Sequence, residues 1–165
     1  QRKREAPKGR VVDPAALDEV RTLLGNASRA RDLLIEHLHR LQDHYGHLSA
    51  RHLAALAREM SLAQTEVYEV ATFYSMFETE KVGRHNVAFC TNISCWLNGA
   101  EDLVAHAEKK LGCKLGESSE DGRIFLKREE ECLAACCGAP MMVINGHYHE
   151  KLTAEKVDEL LDGLK

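Results

Sequence analysis

The sequence predicts an α+β fold in two parts: an N-terminal helical bundle, then a small mixed sheet covered by two helices. Three observations carry this. Apolar residues recur at helical spacing up to about residue 80. Beyond Glu80 they gather in short strand-like runs separated by turn signals. All six cysteines, Cys90, Cys95, Cys113, Cys132, Cys136 and Cys137, fall in that second part. The expected boundaries are a flexible basic arm over 1–12, a helical domain over 13–80 and a second domain over 85–165.

Asp13-Pro14 is a helix start, an Asp cap before a proline at the first helical position. Leu17, Val20 and Leu24 follow at helical spacing, and Gly25 ends the run. A longer helix is expected from about Ala27 to Tyr45, with Leu34, Leu38, Leu41 and Tyr45 on one face and Gly46 as its stop. Ser49 opens a third, whose stripe is Leu53, Leu56, Ala57 and Met60. A fourth begins near Ser61 to Ala63 and repeats those offsets at Val67, Val70, Ala71 and Tyr74. Short connections between four amphipathic helices argue for a bundle.

After a connector at 81–84, His85–Phe89 reads as a strand leading into Cys90. Ala100, Leu103, Val104, Ala107 and Leu111 mark a helix closed by Gly112. Asp121-Gly122 is a turn before a strand at Ile124–Leu126. Met141–Ile144 is another strand, joined to His147–Glu150 through Asn145-Gly146, a favoured two-residue hairpin turn. Thr153 caps a last helix facing inward with Val157, Leu160, Leu161 and Leu164. The order is β–α–β–β–β–α.

Composition sets bounds. With 165 residues, 44% hydrophobic and 29% charged, the chain can bury a core. No apolar run approaches a membrane span, and no segment near the start resembles a signal peptide, so a cytoplasmic protein without direct membrane insertion is expected. A net charge of −4 suits no general nucleic-acid binder. The first ten residues carry +4, which reads as a solvated arm or as one laid along an acidic partner surface.

Clustered cysteines in a chain without export signals suggest metal or redox chemistry before disulfides. The useful pattern is Cys90-x₄-Cys95 and Cys132-x₃-Cys136, each pair at or just beyond a predicted strand. Four thiolates converging from two loops suit tetrahedral zinc or an iron–sulfur cluster. Zinc knuckles prefer tighter pairs, whereas the two irons of a [2Fe–2S] rhomb accept wider ones. Spacing therefore favours iron–sulfur and leaves zinc and disulfides open. The small residues Asn98, Gly99, Gly138 and Ala139 are expected to let backbone N–H groups reach the sulfurs. Cys113 reads as an inert thiol. Cys132-x₄-Cys137 is a competing register, and spacing does not choose between Cys136 and Cys137.

Three stretches carry a resemblance: C-T-N-I-S-C-W-L-N-G-A-E-D-L at 90–103, E-D-G-R-I-F-L at 120–126 and E-E-C-L-A-A-C-C-G-A-P-M-M-V-I-N at 130–145. They resemble the [2Fe–2S]-carrying E-type subunits of NADH-quinone oxidoreductase, and E-V-Y-E-V-A-T-F-Y-S-M-F at 66–77 is similar to that family's helical signature. The gamma subunits of NAD-dependent formate dehydrogenases and NAD-reducing hydrogenases share these motifs. The lead-in at 6–13 and R-D-L-L-I-E-H-L-H at 31–39 look closest to the formate dehydrogenase versions.

The resemblance implies a thioredoxin-like second domain holding one [2Fe–2S] cluster. Cys90 and Cys95 would serve one iron, Cys132 and Cys136 the other. Cys137 departs from the family, which usually has another residue there. The resemblance also implies a flavoprotein partner carrying FMN and binding NAD, with further iron–sulfur subunits in the same complex. The chain itself would relay single electrons without catalysing, and any membrane association would come through the complex.

Other residues have plainer readings. His37 and His39 point apart on a helix and read as surface residues; His147 and His149 would share one strand face. Phe73–Phe77 reads as core or as a partner contact, and Trp96 as a shield over the cluster or as ordinary packing. The rivals are a zinc-stabilised interaction module without a redox role and a thiol–disulfide enzyme, which lacks a C-x-x-C pair. No Walker A or G-x-G-x-x-G motif occurs, so NAD and FMN belong elsewhere.

Overall fold

The computed structural model describes residues 9–127 and 132–165. The expected class is found, as two compact units that divide between Lys81 and Val82.

In the first unit, α1 (Pro14–Leu24) starts where the Asp13 carboxylate accepts the Ala15 N–H at 3.0 Å. Helix α2 (Leu34–Tyr45) stops at Gly46, whose φ of 78° is the left-handed conformation that glycine adopts without cost. Helix α3 (Ala50–Glu59) is capped by Ser49, whose hydroxyl accepts from His52 N. Helix α4 (Gln64–Phe73) begins where the Glu66 carboxylate accepts the Ala63 N–H. The helices bury Val20, Leu24, Leu34, Leu38, Leu41, Leu53, Leu56 and Val67 in one core. Each such side chain contributes about 1.5–3 kcal/mol. Glu59 binds α3 to its surroundings, accepting from Arg21 Nε at 2.8 Å and Arg29 Nε at 3.3 Å.

Three expectations fail here. The second helix does not begin near Ala27: a short 3₁₀ turn, Arg31–Leu33, precedes α2. The Arg29 guanidinium donates to the carbonyls of Ala27 and Gly25, and Ser28 Oγ accepts from Ala30 N. Those local bonds offer this stretch an alternative to the helical ladder. His37 is not a surface residue; it is fully buried, with Nε2 donating to the Ser28 carbonyl at 2.8 Å. Tyr74 is extended beyond the end of α4 and partly exposed, so the fourth stripe ends at Ala71.

Of the basic arm, residues 1–8 lie outside the described residues. Arg10 exchanges two bonds with the Gln64 side chain, donating from N at 2.7 Å and accepting at 2.6 Å.

The second unit is a five-stranded sheet in the order β2 (Glu117–Ser118), β3 (Ile124–Lys127), β1 (His85–Phe89), β4 (Met142–Ile144), β5 (His147–His149). Strands β1 and β3 are parallel and every other neighbour is antiparallel. Alternation along the strands puts Val87, Phe89, Ile124, Leu126, Met142 and Ile144 on one face. There they form a core with Leu103, Val104 and Ala107 of α6 (Ala100–Leu111) and Val157 and Leu161 of α7 (Ala154–Gly163). Asn145 and Gly146 both have positive φ, 49° and 82°, as a tight hairpin turn requires. Two elements lie beyond the sequence expectation, the short strand β2 and a helix of little more than one turn, α5 (Ile93–Leu97).

A candidate four-cysteine site

Cys90 is the first residue after β1, held by donation from its N–H to the Met141 carbonyl at 3.1 Å. Cys95 lies in α5, on the same turn as Ser94, whose hydroxyl donates to the Cys136 carbonyl at 3.2 Å. Cys132 is the first described residue after β3, and Cys136 opens a 3₁₀ turn, Cys136–Gly138. The site thus gathers beyond the end of β1, before the start of β4 and at the first residue of α6. Cys90 and Cys95 are buried there with Ala100 and Met141, packed against Leu133, Ala135, Ala139 and Val143.

The four thiols form a continuous chain of contacts. Cys90 meets both Cys95 and Cys132, and the Cys132 and Cys136 sulfurs are 3.8 Å apart. It is Cys136 whose sulfur meets Cys132; Cys137 is exposed. All six cysteines are free thiols.

Backbone N–H groups converge on these sulfurs. Leu133 and Asn92 donate to Cys90, Met141 donates to Cys95, and Ala134 N lies 3.4 Å from the Cys132 sulfur. The expectation that Asn98, Gly99, Gly138 and Ala139 would do this is overturned. Their N–H groups bond the carbonyls of Cys95, Trp96, Ala135 and Cys136 instead.

Electrostatics divides the set. Burial raises the Cys90 thiol, but the Leu133 and Asn92 donors and the two neighbouring thiols outweigh it, leaving Cys90 below the ordinary thiol range. Cys95 is pushed up to about 11 by burial and then by its hydrogen bond to Cys90. Cys136 is raised by its hydrogen bond to Cys132 and by the charge that Cys132 would carry. Cys90 is thus shifted toward the thiolate while Cys95 and Cys136 are shifted away from it, as expected where negative sulfurs crowd together without a cation. A positive metal centre reverses that resistance, so the donor set fits a thiolate-bound metal group. The sulfurs do not close around one point: among the described residues, no three His, Cys, Asp or Glu side chains gather as one ion requires.

The remaining candidates fall elsewhere. Cys113 is buried in the α6–α7 core, where burial and the charges of Glu117, Glu108 and Asp121 raise its thiol. His147 and His149 lie on the edge strand β5. Trp96 does not pack in a core: it is 53% exposed on α5, which also carries Ile93 at 77% and Leu97 at 70%. The aromatic stretch divides, with Phe77 buried and Phe73 exposed. The sequence gives little sign of α5, because Ile93, Trp96 and Leu97 form no inward-facing stripe.

A family model described as thioredoxin-like [2Fe–2S] ferredoxin matches residues 20–165. The chain is 46% identical over 107 residues to the E subunit of NADH-quinone oxidoreductase from Rickettsia felis, covering 65% of this chain and 64% of that protein. It is 40% identical over 124 residues to a second E-type protein, the E subunit numbered 2 of the Rhizobium meliloti NADH-quinone oxidoreductase, covering 75% of this chain and 73% of that one. A crystal structure of NAD⁺-reducing [NiFe]-hydrogenase in the air-oxidized state is similar over 83% of this chain and 23% of its own, with a TM-score of 0.71 and 26% identity.

Proposed function

Because the chain belongs to the thioredoxin-like [2Fe–2S] ferredoxin family, we propose that it is an electron-transfer component of a multi-subunit NAD(H) oxidoreductase, exchanging single electrons with FMN on a partner flavoprotein. Cys90, Cys95, Cys132 and Cys136 would hold the [2Fe–2S] cluster, which when bound supplies one-electron chemistry. The observation that carries the reading is the single chain of thiol contacts built from two separate loops, with N–H donors aimed at the sulfurs.

The protein's own residues do three things in this role. The cysteines fix their sulfurs on backbone held by β1, β4 and the Ser94–Cys136 bond, so little rearrangement accompanies a change of charge. The N–H groups of Leu133, Asn92, Met141 and Ala134 stabilise negative sulfur. Cys132 and Cys136 stay exposed, as do Ile93, Trp96 and Leu97 of α5, the helix whose Ser94 bonds Cys136, and this apolar surface is suited to a flavoprotein placed close to the site.

These relatives are components of larger assemblies, and the stretch shared with the Rickettsia felis protein spans 64% of its length. Similarity to the E subunits supports a respiratory NADH dehydrogenase as the parent complex, and the sequence lead-in at 6–13 supports an NAD-dependent formate dehydrogenase. The test is to purify the chain with its bound partners, identify them, and add NADH anaerobically. Bleaching of the chain's visible absorption with the flavoprotein present, and not without it, is the expected result. No bleaching with an FMN-loaded partner would overturn the proposal.

A further inference from the structure

Cys136 and Cys137 are adjacent, exposed and chemically alike, yet it is the Cys136 sulfur that lies 3.8 Å from Cys132. They are the first two residues of the 3₁₀ turn Cys136–Gly138. A 3₁₀ helix has about three residues per turn, so their side chains leave its axis roughly 120° apart and do not both point at one site. The rotation of the turn about its axis therefore decides which thiol is presented.

The back of the turn is held by the connector after β5. Lys151 N–H donates to the Gly138 carbonyl at 2.7 Å and Leu152 N–H to the Pro140 carbonyl at 2.9 Å. The Glu150 carboxyl group covers Gly138 where a side chain would otherwise stand. These contacts fall beyond Cys137 and leave the peptide groups of the two cysteines to be oriented from the front. There the Ser94 hydroxyl donates to the Cys136 carbonyl at 3.2 Å. Ser94 is partly buried and adjoins Cys95 on α5, and its own carbonyl accepts the Asn98 side-chain N–H at 2.7 Å. A bond to the same Cys136 carbonyl from Ala139 N, at 3.3 Å, closes the turn on itself and rotates with it.

We infer that Ser94 is a positioning residue that selects the ligand register, holding the turn so that Cys136 faces the site and Cys137 stays outside it. The inference rests on the cluster reading above and adds a residue that itself makes no bond to iron. One neutral hydrogen bond shifts a two-state balance by about two- to tenfold, so its loss mixes the two registers rather than exchanging them.

The test is anaerobic iodoacetamide labelling of the purified full chain beside Ser94→Ala and Ser94→Thr, with iron measured alongside and each label placed by fragment-ion mass spectrometry. Metal-bound thiolates are shielded from alkylation, so the label reports which of the adjacent cysteines is free. Cys137 is expected to carry the label in the unsubstituted chain and in Ser94→Thr, which keeps the hydroxyl. In Ser94→Ala the label on Cys136 is expected to rise about two- to tenfold, while Cys90, Cys95 and Cys132 stay shielded. Should Ser94→Ala lose its iron, adding Cys137→Ser removes the competing thiol; recovered iron would support the assignment and continued loss would overturn it. Iron-loaded Ser94→Ala with Cys136 as shielded as in the unsubstituted chain would overturn it too. So would a divided label in Ser94→Thr, or label on Cys136 in place of Cys137 in the unsubstituted chain. An iron-free unsubstituted chain with all four cysteines labelled would instead overturn the cluster reading.

Discussion

Gly83 lies directly over the backbone of Ile124: a Cβ at Gly83 would stand 2.5 Å from the Ile124 carbonyl carbon and 2.6 Å from the Phe125 nitrogen. The Gly83 N–H donates to Ser118 Oγ at 2.9 Å, which ties the entry of the second unit across β2 and β3. The obstacle is backbone, which cannot swing aside as a side-chain tip can. Gly83→Ala is therefore expected to destabilise the sheet by about 1–3 kcal/mol, read as a lower denaturation midpoint. An unchanged midpoint would show that β3 can shift to accept a methyl group.

Glu59 is held below the ordinary carboxylate range, chiefly by the hydrogen bond from Arg21, against a burial that acts to raise it. A lowered folded pKa means that its stabilisation is complete above the unfolded value, 4.5, and is lost as pH falls through the folded value. Glu59→Gln is expected to cost about 1–2 kcal/mol at neutral pH. Its stability should also fall less steeply than the unsubstituted protein's below about pH 4.5. Parallel curves from pH 3 to pH 7 (roughly the span of carboxylate titration) would contradict the role of this ion pair.

Spacing does not distinguish Cys136 from Cys137, and it is the Cys136 sulfur that lies against Cys132. Cys136→Ser is expected to abolish or strongly alter the visible absorption of the purified chain, and Cys137→Ser to leave it unchanged. The opposite pattern would move the register of the site by one residue. Cys113→Ser should leave the spectrum intact, because that thiol lies in the α6–α7 core.

Much of this arrangement is legible in the sequence because it rests on local rules. The Asp13, Ser49 and Thr153 caps, the glycine stops and the Asn145-Gly146 hairpin all follow from chemistry within a few residues. The cysteine pairs are visible because thiols in two tight groups have few other uses. What escapes depends on distant partners. His37 is buried because the Ser28 carbonyl, nine residues away, receives its ring N–H. The N–H donors around the sulfurs are misplaced because small residues beside a cysteine do not reveal which carbonyls will compete for their N–H groups. Helix α5 shows no inward stripe, since its apolar residues face outward.

The most direct measurement is metal and sulfide analysis of the anaerobically purified chain, with EPR after dithionite reduction, beside Cys95→Ala. Equimolar iron and acid-labile sulfide with a reduced-state signal are expected, and that signal should be lost in the variant. Zinc in place of iron, a Cys90–Cys95 or Cys132–Cys136 disulfide in the purified chain, or an undiminished signal in Cys95→Ala would contradict the cluster reading.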